Sequence, residues 1–159
     1  YRALKKEIPE YFDIEPPMEI LHTTEFYANL LDEGKLRFNK KIEPELKVTY
    51  HDPCDLGRYC GVYEPPRKLI ENIPGVKLFE MNRNRNFAWC CGAGGGMRVA
   101  FPEDAIAIGG NRIREAEETG VDAIIVACPT CKDNLQDAAR ALNSKLKIIE
   151  ISELMSRTL

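Results

Sequence analysis

No long hydrophobic run is present in this chain of 159 residues; the longest apolar stretch, Ala123 to Cys128, has six. A helix that crosses a bilayer needs about 20, so no segment is expected to span a membrane. An excess of one charge is missing too. Twenty-two Lys and Arg face 25 Asp and Glu, a net charge of −3, which lacks the basic footprint of a nucleic-acid binder. No secretory leader pattern opens the chain, and its first residue is Tyr1 rather than methionine. A piece of a longer protein is therefore expected. With 44% hydrophobic residues the chain is too apolar for disorder. Its length suits one α/β domain with a small appendage, able to bury a core without disulfide staples.

Against these absences stand six cysteines, Cys54, Cys60, Cys90, Cys91, Cys128 and Cys131. Three disulfides are one reading, but that framework belongs to small secreted chains. Buried apolar thiols are a second. A third is a redox pair in Cys128-Pro129-Thr130-Cys131, since Cys-x-x-Cys lowers a thiol pKa and exchanges disulfides; that chemistry requires neither Cys54 nor the Cys90-Cys91 pair. Metal is the stronger reading. Thiolates are soft and in clusters select iron–sulfur, zinc or copper(I). Cys128 and Cys131 offer two ligands from one turn. Adjacent Cys90 and Cys91 reach different irons of a larger cluster more easily than one small ion. Thirty-five residues separate Cys54 from Cys90, and 36 separate Cys91 from Cys128, as if equivalent loops of successive β-α units converged at one sheet edge.

The remaining pattern predicts such units. Strands are expected at Lys47–His51, Val76–Met81, Ala123–Ala127 and Lys147–Ile151. Helices are expected at Pro65–Ile73, at Pro102–Thr119 with Gly120 as its stop, and at Asp133–Leu142. The continuously apolar run at 123–127 reads as a strand buried on both faces. Asn82 to Asn86 reads as a solvated turn. The fold class is α/β, a parallel sheet with flanking helices, in which loops after strand C-termini carry the cysteines and face a ligand.

Gly92-Ala93-Gly94-Gly95-Gly96 fails as a nucleotide fingerprint, because Met97 stands where the last glycine belongs. Gly92, Gly94 and Gly95 instead let backbone approach a bulky group closely, where N–H groups can reach cluster sulfides. A plain flexible loop is the alternative. His51 precedes Cys54 and is either a donor or proton source at the site or a satisfied structural histidine. His22 receives no role, and Cys60 is expected to be a bystander.

The two ends also resemble each other. Leu4 aligns with Leu135, and after a shift of three residues Ile20, Thr24 and Glu25 align with Ile148, Ser152 and Glu153. Tyr1 would then follow a Cys-x-x-Cys not present in this chain. Residues 1–45 would be the end of an upstream repeat and a connector, and 46–159 the second repeat.

His51-Asp52-Pro53-Cys54, the run Gly61-Val62-Tyr63-Glu64-Pro65-Pro66-Arg67, Cys90-Cys91-Gly92-Ala93-Gly94-Gly95-Gly96 and Cys128-Pro129-Thr130-Cys131 together resemble the cysteine-rich CCG domain. The likeness covers roughly Glu19 to Leu159. That domain occurs twice in the catalytic subunit of heterodisulfide reductases, and in iron–sulfur subunits of glycolate, lactate and anaerobic glycerol-3-phosphate oxidation systems. The resemblance implies that Cys54, Cys90, Cys91, Cys128 and Cys131 ligate one cluster, an unusual non-cubane [4Fe–4S] centre, with zinc in some relatives. Cys60 lies outside the pattern. It implies electron transfer to a disulfide of the coenzyme M–coenzyme B type, or an electron relay from a 2-hydroxy acid dehydrogenase. A zinc-stabilised structural module is the remaining alternative. The expected partners are an electron-donating subunit or ferredoxin-type domain, an upstream CCG repeat, and a small disulfide or thiol. The expected location is the cytoplasm, or a membrane reached through a partner.

Overall fold

Four short strands, β1 (Leu46–Tyr50), β2 (Val76–Leu78), β3 (Ala123–Val126) and β4 (Lys147–Glu150), form one sheet in the order β2-β1-β3-β4. Every pair is parallel, with Val48 opposite Ala123 and Ala123 opposite Lys147. The computed structural model describes all of residues 1–159. Its helices are α1 (Ile8–Phe12), entered through a π-helical turn at Ala3–Glu7, α2 (Thr23–Asp32), α3 (Glu64–Glu71), α4 (Met97–Ala100), α5 (Pro102–Glu118), α6 (Pro129–Ala141) and α7 (Ile151–Ser156). None is long and apolar enough to cross a membrane.

A parallel sheet must be covered on both faces, and the pleat of β3 does this with four successive apolar residues. Ala123 and Ile125 join Val48 and Tyr50 under α2, α3 and α7. Ile124 and Val126 face the other way, under Ile113 and Ala116 of α5 and Leu135 and Ala138 of α6. Each fully buried Leu or Ile contributes about 1.5–3 kcal/mol, so the two layers together hold the sheet.

From β1 the chain crosses by α3 to β2. It then returns past β1 by α5 to β3 on β1's other side. The connections leaving β1 and β3 therefore go to opposite faces. At such a switch point the loops beyond the strand ends diverge and leave a crevice. The first of these loops carries Cys54 and the second Cys128.

Boundaries differ from expectation where one residue type misleads. The helix expected from Asp133 begins at Pro129. Proline has no N–H to lose at a helix start, so Cys128 becomes the N-cap residue and Cys131 lies in the first turn. β2 stops at Leu78, short of Met81, because it has a partner only in β1; Phe79 makes one last bond to Val48 at 2.8 Å. β4 ends at Glu150, whose carboxylate accepts the Ser152 N–H at 2.7 Å and starts α7 directly. α1, α2, α4 and α7 were not expected. His22, given no role from the sequence, caps α2 by accepting the Thr24 N–H, and Glu25 reaches back to the His22 N–H at 2.8 Å. The helices α2 and α7 thus begin at positions that the end-to-end sequence match pairs, each capped by the residue before it.

Candidate metal centre

The first cysteine loop is held by charge. His51 continues the ladder through its N–H to Ile125 at 2.9 Å. Asp52, fully enclosed, accepts from Arg67 at 2.8 and 2.9 Å and from the Arg85 N–H at 2.7 Å. Arg67 also donates to Glu80 at 2.5 and 3.1 Å and to the Tyr63 carbonyl at 2.8 Å. Burial alone would lower the Arg67 pKa, but its hydrogen bonds to Asp52 and Glu80 overcome this and hold the guanidinium charged. The loop is therefore pinned to α3 and to the turn after β2. Beyond it Pro53 and Cys54 enter a turn in which the Gly57 N–H bonds the Pro53 carbonyl at 2.8 Å.

The second loop is fixed by an amide. Asn134 of α6, wholly buried, donates to the Cys91 carbonyl at 2.6 Å and to the Ala105 carbonyl at 2.8 Å. One side chain thus ties Cys91, α5 and α6 together. Gly92 has φ +92°, and a Cβ there would stand 2.5 Å from the Ala105 carbonyl oxygen, so only glycine fits. Its N–H donates to the Cys90 sulfur at 3.3 Å. Asn134→Ala is expected to lower stability by about 2 kcal/mol, because two buried carbonyls lose their donor. A urea unfolding midpoint checks this.

The third loop brings Cys128 and Cys131 from the start of α6. All six thiols are free, so no disulfide framework is present. Five of them converge: Cys54, Cys91, Cys128 and Cys131 line one cavity, the Cys91 and Cys131 sulfurs lie within 4.8 Å of each other and of a His51 ring nitrogen, and Cys90 adjoins Cys91 in the chain. Each thiol's ionisation depends in part on its neighbours. Cys91 is held far below the ordinary thiol range by the Cys131 thiol, then by Cys90 and His51. Cys131, donating to Cys128 and Cys91, is pushed far up. Cys90 is raised by its bond to Cys91 and by burial, and Cys54 chiefly by burial. Cys128 falls to about 6, because Cys131 and the backbone N–H groups of Cys131 and Thr130 donate to it. Burial lowers the pKa of His51 and keeps the ring neutral.

Beside the sulfurs lies a cavity of about 480 Å³, lined by Cys54, Cys91, Cys128 and Cys131 and walled by Gly94, Gly95 and Gly96. A Cβ at any of these three glycines would meet nothing within 4 Å, so the bare backbone fronts open space. Gly94 and Gly95 therefore stand where the sequence reading places them. Gly92 lies outside the cavity lining; it packs against α5 and donates its N–H to the Cys90 sulfur. Gly96, outside the expected set, joins the wall. Cys90 adjoins the cavity through its neighbours, and Cys60 packs against the core on the α2 face.

This donor set fits a thiolate-bound metal group. Five thiols gathered at one cavity cannot all ionise unless a cation compensates them, and bound metal deprotonates coordinating thiols outright. The sulfurs are soft ligands suited to iron–sulfur or zinc, and the glycine wall gives a bulky group room. Asn134 carries no spacing signal, since it acts on a loop 43 residues away, while Asp52 and Arg67 stand in the sequence motifs but their pairing shows only in the fold.

Residues 48–136 match the family described as CCG, a cysteine-rich domain. A dihydromethanophenazine:CoB–CoM heterodisulfide reductase polypeptide of Methanosarcina barkeri is 43% identical over the whole of this chain and 38% of its own length. The protein of the same name from Methanosarcina acetivorans is 40% identical over the same shares. A Bacillus subtilis protein named "Probable iron-sulfur-binding oxidoreductase FadF" is 37% identical over 99% of this chain and 22% of its own length. The chain thus spans little more than a third of the length of the Methanosarcina relatives.

Proposed function

The chain belongs to the CCG cysteine-rich domain family, and from that premise we propose that it holds an iron–sulfur cluster in a heterodisulfide reductase-like oxidoreductase. Cys54, Cys90, Cys91, Cys128 and Cys131 hold the cluster, a non-cubane [4Fe–4S] centre. The observation that carries this reading is the convergence of Cys54, Cys91, Cys128 and Cys131, with Cys90 adjoining, at a glycine-walled cavity. A tetrahedral zinc site uses four ligands, one fewer than stands here. When bound, the cluster supplies electron transfer. The names of the two Methanosarcina relatives favour a disulfide of the coenzyme M–coenzyme B type as the electron acceptor. Two electrons and two protons convert such a disulfide into two thiols.

The chain's own residues supply access and order. Gly94, Gly95 and Gly96 let a small disulfide approach the sulfurs without meeting a side chain. Ala93 gives the cavity a buried apolar wall and exposed Val99 stands at its mouth, while Arg98 places a cation at its edge. Arg98 is already paired with Asp133 and Asp137 at 3.3 and 2.7 Å, so it shapes the edge more than it offers free charge. Asp52 and Asn134 hold two of the three loops in register, which fixes the distances among the sulfurs.

Electrons reach this domain from a partner subunit or a ferredoxin-type domain of the longer protein. Residues 1–45 are the end of an upstream repeat and its connector, a reading supported by the matched starts and caps of α2 and α7. The FadF name supports an iron–sulfur oxidoreductase role outside heterodisulfide chemistry as well. The test is disulfide reduction by the full-length parent protein with a reduced viologen dye as donor. Cys54→Ser and Cys128→Ser are expected to lower the rate at least 100-fold, and Cys60→Ser to leave it within twofold. Equal losses in all three, or none, would overturn the assignment.

A further inference from the structure

Arg112 is a buried cation that the thiol site does not account for. It lies on α5 with no exposed surface. One guanidinium nitrogen, Nη1, donates to Glu115 at 2.6 Å and to the Arg83 carbonyl at 2.7 Å. A second, Nη2, has no partner. The third, Nε, donates to Nδ1 of His51 at 3.3 Å. His51 is equally buried, and a ring nitrogen lies within 4.8 Å of the sulfurs of both Cys91 and Cys131. On distance alone His51, Cys91 and Cys131 are three ligands of a mixed nitrogen and sulfur metal site.

The chemistry of Arg112 decides otherwise. Arginine is protonated at every accessible pH and is only a donor. A nitrogen that accepts its hydrogen bond must offer a lone pair, so Nδ1 carries no proton. A neutral imidazole then holds its single proton on Nε2. Metal coordination needs a free lone pair on a ring nitrogen. The Nδ1 lone pair is taken by Arg112, and that of Nε2 is bonded to hydrogen. Ligation through Nε2 would demand an imidazolate, negatively charged, beside thiolates in a buried site.

We propose that Arg112 locks His51 in the Nε2–H tautomer and so makes His51 a hydrogen-bond donor to the Cys91 sulfur rather than a metal ligand. The proposal builds on the reading of the thiols as a metal site. Arg112 is a positioning residue that acts through His51, and His51 through Cys91. A donor aimed at a ligating thiolate draws charge from it and fixes its orientation, the role that outer hydrogen bonds play at metal centres. It also keeps the ligand set all-sulfur. Glu115 completes the device from the far side. It accepts from Arg112 and from the Arg83 N–H at 2.7 Å, which orients the guanidinium and ties it to the Asn82–Asn86 turn.

The test reads the tautomer directly. The chain has two histidines, so 15N-histidine labelling gives two ring systems, and His22→Asn assigns them while keeping a helix cap. In the metal-free chain His51 is expected to show a pyridine-type Nδ1 and a pyrrole-type Nε2 that keeps its proton. Loading with zinc as a diamagnetic probe is expected to leave that pattern in place. Loss of the Nε2 proton on zinc binding, or an Nδ1–H ring in the metal-free chain, would overturn the proposal. Arg112→Met with Glu115→Gln removes the donor without stranding a carboxylate, and is expected to lose the single Nε2–H state. Arg112→Lys, which keeps a cationic donor, is expected to retain it. An unchanged tautomer in the Met–Gln variant would show that Arg112 does not set it. Should that variant fail to fold, the wild-type and Arg112→Lys spectra still decide. Failure to take up zinc or an iron–sulfur cluster would instead count against the metal reading, and the metal-free tautomer is read independently of it.

Discussion

Cys91→Ser is expected to empty the site of iron. Cys91 is buried among the thiols, its sulfur within 4.8 Å of the Cys131 sulfur and of a His51 ring nitrogen. Serine offers a hard hydroxyl with a far higher pKa in place of a soft thiolate, and iron–sulfur clusters are held by thiolates. The substitution also separates the Cys54-Cys90 half of the ligand set from the Cys128-Cys131 half. Iron per chain after anaerobic reconstitution is expected to fall at least tenfold. The backbone is expected to remain folded by far-ultraviolet circular dichroism, because Asn134 still holds the residue 91 carbonyl. Cys60→Ser, on the α2 face, serves as the control and is expected to keep its iron. A Cys91→Ser protein with full iron content would refute the ligand assignment.

Asp52→Ala is expected to be the most destabilising of the substitutions considered. Asp52 and Arg67 have side chains only 2% and 3% exposed. Removing one partner of such a pair leaves an uncompensated buried charge, which costs about 3–5 kcal/mol. Glu80 still reaches Arg67, at 2.5 Å, from a position 30% exposed, so the low end, about 3 kcal/mol, is expected. The Arg85 N–H loses its acceptor as well. Asp52→Asn keeps an acceptor for that N–H and is expected to fall between Ala and wild type. The urea denaturation midpoint measures both. A loss below about 1 kcal/mol for Asp52→Ala, the value of an exposed pair, would show that the pair does not anchor the loop.

The sheet was legible in the sequence because its signals are local. Ala123 to Ala127 is an apolar run that a doubly covered strand explains, and the expected helices carry a proline at their start or a glycine at their stop. The thiol cluster was legible because five cysteines at even spacing encode the loop ends of β-α units. Boundaries failed where one residue supports two readings. Pro129 could break a helix or begin one, and here it begins α6, which brings Cys131 into the first turn. Gly92 turns its N–H to the Cys90 sulfur, but its close approach to the Ala105 carbonyl, a contact set by how α5 packs, was not legible. The roles of Asn134, Arg67 and Arg112 were not legible, although Arg67 closes one of the sequence motifs. Each acts across 15 to 61 residues of sequence, and a buried Asn or Arg looks like a surface one until its partners are in place.

Anaerobic reconstitution of this chain with iron and sulfide, followed by assay of metal and acid-labile sulfide, tests the central claim most directly. The arrangement of Cys54, Cys90, Cys91, Cys128 and Cys131 predicts iron and sulfide in equal amounts, about four of each per chain, and both lost in Cys91→Ser. One zinc per chain with no acid-labile sulfide would contradict it.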